Sequence, residues 1–506
     1  MSLIKRNVIA NLAGNGWSAL LSIIVIPVYI YFIGIEAYGL IGISVMFFSL
    51  FSILDMGMTV TLGRELARLS ALPGKVQEAR DLVRSLEIPV WLIALLLGTV
   101  MITASHTIAH DWLKTGKLPL QTVQYAVILM GVSIALQWPS SFYISGLNGL
   151  QHQILLNAIT AGMATFRCIG TILVLWLISP TLNAFFAWQI LASFVQTSIL
   201  ALFLWEKIPS TGVKSQFQTS LLKGTWHFTA GAGGSSIAGL LISQMDKIIL
   251  SKLLSLEMFG YYSLASTAAT SFSRLISPLV IAVYPRMVQL VALHDTVSLR
   301  RLYHVSCQLM SVIIIPVSLI MVFFPKEILL IWTQDLLTAQ KTYLIMVLLT
   351  IATLINGLSH LSLSLQYANG RVKAIFFISF IVMLVMAVTI YAGTKMYGVY
   401  GAAVGLVAVH ISYTLSLIHI IHRQSLPGEL GLWYTQDVGR PLFAALAVTL
   451  IGRIILDPIT NIWIMLIGIL VTALVSIIVT SMSTLEVRRL FIQYINGFRE
   501  RTPHVI

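Results

Sequence analysis

The chain is built mainly of apolar runs of roughly 17–25 residues, the length a helix needs to cross about 30 Å of hydrocarbon. About fourteen such runs can be marked in its 506 residues. The first six fall at 9–32, 38–62, 88–109, 121–144, 154–178 and 183–205. The next six fall at 227–250, 258–284, 305–324, 342–366, 374–393 and 398–421. A last pair occupies 441–457 and 461–481. Only 10% of the residues are charged, against about 25% in soluble proteins. A soluble fold has nothing with which to cover so many apolar runs. The expected class is therefore an all-α polytopic membrane protein.

An even number of spans places both termini on one side, and Lys/Arg placement selects the side. Of the 31 Lys and Arg residues, 21 lie in the termini and the loops on the N-terminal side, among them Arg64, Arg80, Arg300 and Arg440. Eight lie in the opposite loops. This bias predicts cytoplasmic termini and accounts for the net charge of +13 without nucleic acid. Cys168 and Cys307 lie in or at the edge of apolar runs, which argues against a disulfide framework. The N-terminal segment runs straight into its first apolar stretch, so that stretch is expected to remain as a permanent span.

A motif near the start recurs. Ile33-Gly34-Ile35-Glu36-Ala37-Tyr38-Gly39-Leu40 is echoed by Leu254-Ser255-Leu256-Glu257-Met258-Phe259-Gly260-Tyr261 at an offset of 221. Ile88-Pro89-Val90 returns as Ile315-Pro316-Val317 at an offset of 227, and Asn148-Gly149 as Asn369-Gly370 at 221. Matches in this order point to a duplicated bundle. Six spans per copy keep the insertion direction, so two parallel lobes are expected around a central cavity. The expected divisions are an N-lobe at 1–206, a C-lobe at 207–424, two extra helices at 425–484 and a cytoplasmic tail at 485–506. In that tail Leu490, Phe491, Tyr494, Ile495 and Phe498 oppose Arg488, Arg489 and Arg499, the pattern of an amphipathic helix lying on a membrane surface.

Polar residues inside the runs are the candidate site. Ser263, Thr267, Thr270, Arg274 and Ser277 recur at spacings of four, three, four and three, which puts them on one stripe of helix 8. A guanidinium there costs several kcal/mol unless it meets a pair, carbonyls or water. Either Arg274 pairs with a structural carboxylate, or it lines a wet cavity and binds an anion. Arg167, near the middle of helix 5, presents the same choice. Helix 1 carries Asn7, Asn11, Asn15, Ser18 and Ser22, which either bond helix to helix or face water and sugar hydroxyls. Asp55 of helix 2 either pairs with Arg274 or Arg64 or carries a coupling proton. Asp246 beside Lys247, and Arg453, read as local anchors. The histidines show no ligand spacing, so no metal is expected. Walker A, GxSxG and HExxH motifs are absent, and the outer loops are short, so neither an enzyme nor a cofactor is expected.

The Gly-x-Glu-x-Tyr-Gly hairpin at 34–39, the Leu54-Asp55-Met56-Gly57-Met58 run followed by Arg64, and the stretch from Asp246 to Gly260-Tyr261 together carry a resemblance. The chain resembles Wzx-type polysaccharide flippases of the multidrug/oligosaccharidyl-lipid/polysaccharide exporter superfamily. The peptidoglycan-precursor flippases carry several arginines in helices 1 and 2, whereas this chain has none inside helix 1. The resemblance implies movement of an undecaprenyl-pyrophosphate-linked oligosaccharide to the periplasmic leaflet of a bacterial inner membrane. It implies that cavity cations, here Arg274, Arg167 and Arg64, hold the pyrophosphate or acidic sugars. A proton or sodium counter-ion and a polysaccharide polymerase partner belong to the same expectation. The rival readings are a drug or small-solute antiporter of the same superfamily and a membrane polymerase or ligase. The short outer loops and the duplication weigh against the last.

Overall fold

A computed structural model describes residues 3–370, 372–459 and 461–489. Every regular element among them is helical, and the bridge between Lys114 and Ser255 is isolated. The chain divides into two compact units, Met1–Gly260 and Tyr261–Ile506.

The first unit contains α1 (Leu3–Phe51), α2 (Met58–Ser70), α3 (Val76–Thr103), α4 (Leu120–Gln137), α5 (Ser140–Gly149), α6 (Gln153–Leu177), α7 (Leu182–Lys207) and α8 (Thr219–Leu253). α9 (Leu256–Ser271) begins in it and continues into the second unit. There follow α10 (Ile276–Ala292), α11 (Thr296–Phe323), α12 (Pro325–Thr333), α13 (Leu336–Ala368), α14 (Val372–Ser425), α15 (Arg440–Leu456) and α16 (Ile462–Ser483).

Among the described residues, eleven helical stretches are long and apolar enough to cross a membrane, against the fourteen runs marked in the sequence. Two of the eleven are expected pairs that run on as one. α1 takes in helix 1 and most of helix 2, broken only at Gly34, where φ is 83°. α14 takes in helices 11 and 12, broken at Tyr397 and Gly398, where φ at the glycine is 61°. A turn of one or two residues leaves no loop to separate the helices, and glycine takes the positive φ without strain. Arg371 and the tail residues from Leu490 onward lie outside the described residues, as does the side chain of Asn7.

Two expected spans are broken within. Helix 2 leaves α-geometry over Ser52–Asp55, where Met56 and Gly57 turn left-handed before α2 starts. Helix 8 does the same over Phe272–Leu275. The second break follows from Pro278. It has no N–H for the Arg274 carbonyl four residues back, and its ring crowds that oxygen. The two breaks lie 220 residues apart, one residue from the motif offset.

In the first unit, the two copies of the hairpin motif touch. A Cβ on Gly39 would come within 2.5 Å of the Leu256 carbonyl, and one on Gly260 would collide with the Ile35 carbonyl. Glycine at this motif position is therefore what lets the backbones meet. Buried Glu36 accepts hydrogen bonds from the Gly116 and Lys117 amides at 2.6 and 2.8 Å. The same loop reaches the second copy, where the Lys114 carbonyl accepts from the Leu256 amide at 2.8 Å and Lys114 Nζ donates to Leu253 O at 2.9 Å.

Farther along, a core of Leu62, Leu66, Leu82, Val83, Leu86, Phe142 and Leu204 unites α2, α3, α5 and α7. Glu87 is buried beside it, accepting from Tyr143 at 2.7 Å and Trp205 at 3.2 Å, with Arg84 3.0 Å away. In the second unit, α11 is buried along most of its length, and Arg453 of α15 reaches Glu327 of α12 at 2.5 Å.

Candidate functional site

Arg167 and Arg274 stand in different surroundings. α6 carries Arg167 in its middle, and α7 packs alongside with Gln189, Ser193 and Gln196, spaced four and three apart and hence on one face. The guanidinium donates to Gln189 Oε1 at 2.7 Å, to Gln196 Oε1 at 3.1 Å and, at 3.4 Å, to Ser193 Oγ. The backbone is held too. Thr171 Oγ1 and Trp188 Nε1 both donate to the Arg167 carbonyl, at 2.6 and 3.2 Å, and Gly170 makes room for the Trp188 ring. No ion pair to Arg167 is present among the described residues. Its positive charge is thus solvated by neutral oxygens and cancelled by none.

Arg274 sits in the non-α turn Phe272–Leu275, with its side chain exposed. Neither a hydrogen bond nor an ion pair to its guanidinium is present among the described residues. Thr270 and Ser277 beside it are exposed as well, whereas Ser263, higher on the expected stripe, is buried with no partner for its hydroxyl. Thr267 and Thr270 turn their hydroxyls back onto the Ser263 and Ser266 carbonyls, at 2.9 and 2.7 Å. The stripe is therefore exposed in its second half only, from Thr270 through Arg274 to Ser277.

The remaining candidates are mostly engaged locally. Asp55 caps α2, accepting from the Thr59 amide at 3.1 Å and its hydroxyl at 2.5 Å, and makes no ion pair among the described residues. Arg64 lies 4.0 Å from Glu65, with its side chain half exposed. Asn11 bridges α1 to α6 through Gln153, at 3.4 Å, and Asn157. Asn15 is exposed and makes no hydrogen bond among the described residues. Asp246 pairs with Lys247 at 3.4 Å. No group of three or more His, Cys, Asp or Glu able to hold a metal occurs among the described residues.

The partners of Arg167 escaped the sequence reading, although their signal was present: Gln189, Ser193 and Gln196 recur at helical spacing inside an otherwise apolar span. Nothing in sequence, by contrast, ties Glu36 to the Gly116 and Lys117 amides 80 residues on.

A many-span helical chain with cations and hydroxyls set inside its spans is a polytopic membrane transporter. This chain belongs to the polysaccharide biosynthesis protein family, whose family model matches residues 4–291. It is 22% identical over 404 residues to the Shigella flexneri protein named "Putative O-antigen transporter", covering 80% of this chain and 94% of that one. Its fold is similar to that of the lipid II flippase MurJ in an inward closed conformation, with TM-score 0.69 and 16% identity over 94% of this chain and 98% of that one. It is also similar to an inward-facing multidrug resistance MATE family transporter of the MOP superfamily, with TM-score 0.65 and 11% identity over 83% and 96% of the two chains. The relatives are transporters and flippases, not catalysts.

Proposed function

We propose that the protein moves polyprenyl-pyrophosphate-linked oligosaccharide units, the prenyl being undecaprenyl, from the cytoplasmic to the periplasmic leaflet of a bacterial inner membrane. The units serve O-antigen, capsule or exopolysaccharide synthesis. The observation that carries this reading is Arg274, a guanidinium without a counter-charge among the described residues, exposed on a broken membrane helix between Thr270 and Ser277. A prenyl tail can stay in lipid, but a diphosphate with sugars needs cations and hydroxyls along its route. Arg167 is the second cation on that route, and Asn15 offers an amide to sugar hydroxyls. Alternating access of two six-helix lobes, 1–206 and 207–424, gives the movement its mechanism. The excess of Lys and Arg in the termini and adjoining loops supports cytoplasmic termini. A proton or sodium counter-ion supplies the energy, and a polysaccharide polymerase takes the delivered unit.

The test is expression of the chain in strains lacking their own flippase, supplied with different repeat units. Restored surface polysaccharide with at least one repeat unit, lost again in Arg274→Ala, supports the proposal. Polysaccharide absent with every repeat unit, together with resistance to cationic drugs, would favour a drug antiporter.

A further inference from the structure

A second group of charged side chains lies in the second unit, away from the arginine-bearing turn in sequence and built quite differently. His304 of α11 has a carboxylate at each ring nitrogen: Asp437 Oδ2 at 2.5 Å from Nδ1, and Glu429 Oε2 at 3.5 Å from Nε2. Asp437 is fully buried, while the His304 and Glu429 side chains are partly buried. Arg300 lies 3.1 Å from Glu429 on its exposed side. Gln308, one turn along α11, donates its amide to the other Asp437 oxygen at 3.0 Å and accepts the Glu486 amide N–H at 3.0 Å. The other ionisable groups near this centre are His422 of α14, with Tyr303 and Cys307 of α11. His422 bonds the Ile418 carbonyl through Nδ1, while its Nε2 and the Trp433 indole N–H are buried without partners among the described residues.

The geometry has a chemical requirement. A neutral imidazole carries one N–H and one lone pair, so it can donate to only one of two flanking carboxylates. Only the imidazolium presents an N–H and a positive charge to both carboxylates; at 3.5 Å the Nε2 contact with Glu429 is an ion pair and not a hydrogen bond. With the proton, the charges of His304 and Arg300 balance those of Asp437 and Glu429. Without it, one buried negative charge has no cation, an arrangement that costs several kcal/mol.

The position in the chain shows what the cluster holds. Asp437 lies in a π-helical stretch, Trp433–Gly439, immediately before α15, and Glu486 follows α16. π-helical turns are uncommon and concentrate at functional sites. Both ends of the α15–α16 pair, which lies outside the duplication, are therefore tied to α11 through one set of side chains. The first copy of the repeat does the same task differently. Asp81 stands at the equivalent of Gln308, 227 residues earlier, and its carboxylate accepts the Gln216 amide at 2.8 Å and the Gln218 side chain at 2.9 Å. There a single carboxylate holds the following segment directly. In the second copy a neutral amide does so, oriented by Asp437 and hence by His304.

We propose that His304, Asp437 and Glu429 form a proton-binding site whose occupancy fastens the α15–α16 pair and the segment after it to α11. The ligand is one proton, taken onto the imidazole and returned to water, with no other bond made or broken. Losing it releases a carboxylate contact and with it the anchor of Asp437 or Glu429.

The test is hydrogen exchange of the full-length protein in lipid nanodiscs over a pH series from about 5 to 9, corrected for intrinsic exchange. It needs no transport substrate, so it stands or falls independently of the flippase reading. In the wild type, segments holding the Trp433 and Glu486 amides should exchange about tenfold faster once His304 loses its proton, the equivalent of losing one hydrogen bond to a charged group. His304→Gln, which cannot be protonated, should exchange fast at every pH. Glu429→Gln, at the less buried end of the cluster, should fold even if His304→Gln does not, and should weaken the pH dependence. A pH-independent wild type would overturn the proposal. So would a pH response that survives unchanged in His304→Gln or in Glu429→Gln.

Discussion

Arg167 and Arg274 are the same side chain in two kinds of place. Arg167 rises from the middle of an unbroken helix and is gripped by two glutamines and a serine of the neighbouring helix. Arg274 projects from a turn that Pro278 keeps from being α-helical, and it is exposed. The first has its hydrogen bonds met by the protein and only its charge left over. The second has neither met among the described residues. A charge solvated by fixed neutral dipoles is present at all times and changes little when an anion arrives. An exposed, unbonded guanidinium is in a position to gain both charge-assisted hydrogen bonds and neutralisation from one ligand. On the proposed function the contrast gives them different tasks: Arg274 would meet an anionic head group directly, and Arg167 would supply a standing positive potential within its own unit.

The largest expected effect tests the Arg274 half of that contrast. Arg274→Ala should remove about 2–5 kcal/mol of head-group binding, so export in a complemented strain should fall roughly tenfold or more at normal membrane abundance. Arg274→Lys should retain part of the export, since the charge stays while the planar fork is lost. Full export by the alanine variant at normal abundance would remove Arg274 from the site.

The next effect is split between stability and export. Arg167→Met leaves the buried Gln189 carbonyl and the half-buried Gln196 carbonyl without their donor, which should lower thermal stability by about 1–3 kcal/mol. Replacing Gln189 and Gln196 by leucine in the same chain should recover most of that loss, because the two stranded amides are then gone and Ser193 keeps Ser133 as a partner at 3.4 Å. Export should not recover with it. If the triple variant both folds and exports normally, Arg167 is a structural residue and the comparison collapses to one functional arginine.

How far such a contrast can be seen in advance depends on the kind of interaction. The spans, the duplication and the two intramembrane arginines are legible because hydrophobic length and motif spacing are properties of contiguous sequence. The break at Phe272–Leu275 is legible in Pro278, four residues after Arg274, but the regular spacing of the stripe masks it. The charge of Asp55 suggests an ion pair or a coupling proton, and the cap it gives α2 depends on the turn at Gly57, which charge alone does not show. The Asp437–His304 contact joins residues 133 positions apart, which no local pattern encodes. Glu36 is similar: its motif is visible, but the amides it holds come from another loop.

The smallest expected effect lies within the Arg167 cradle. Gln189 is closer to the guanidinium than Gln196, 2.7 against 3.1 Å, and its side-chain N–H also donates to Thr171 at 3.0 Å. Gln189→Ala removes a short bond and strands the Thr171 hydroxyl's second contact, whereas Gln196→Ala removes one longer bond. Single hydrogen bonds to a charged group are worth about 1.5–3 kcal/mol, and the longer one should fall at or below the bottom of that range. Thermal unfolding of the two variants in detergent should therefore place Gln189→Ala below Gln196→Ala, with export nearly normal in both because the positive charge remains. Equal stabilities would mean that Arg167 shifts freely among its acceptors, in which case its charge is not fixed in place and a standing potential is the wrong description of its task.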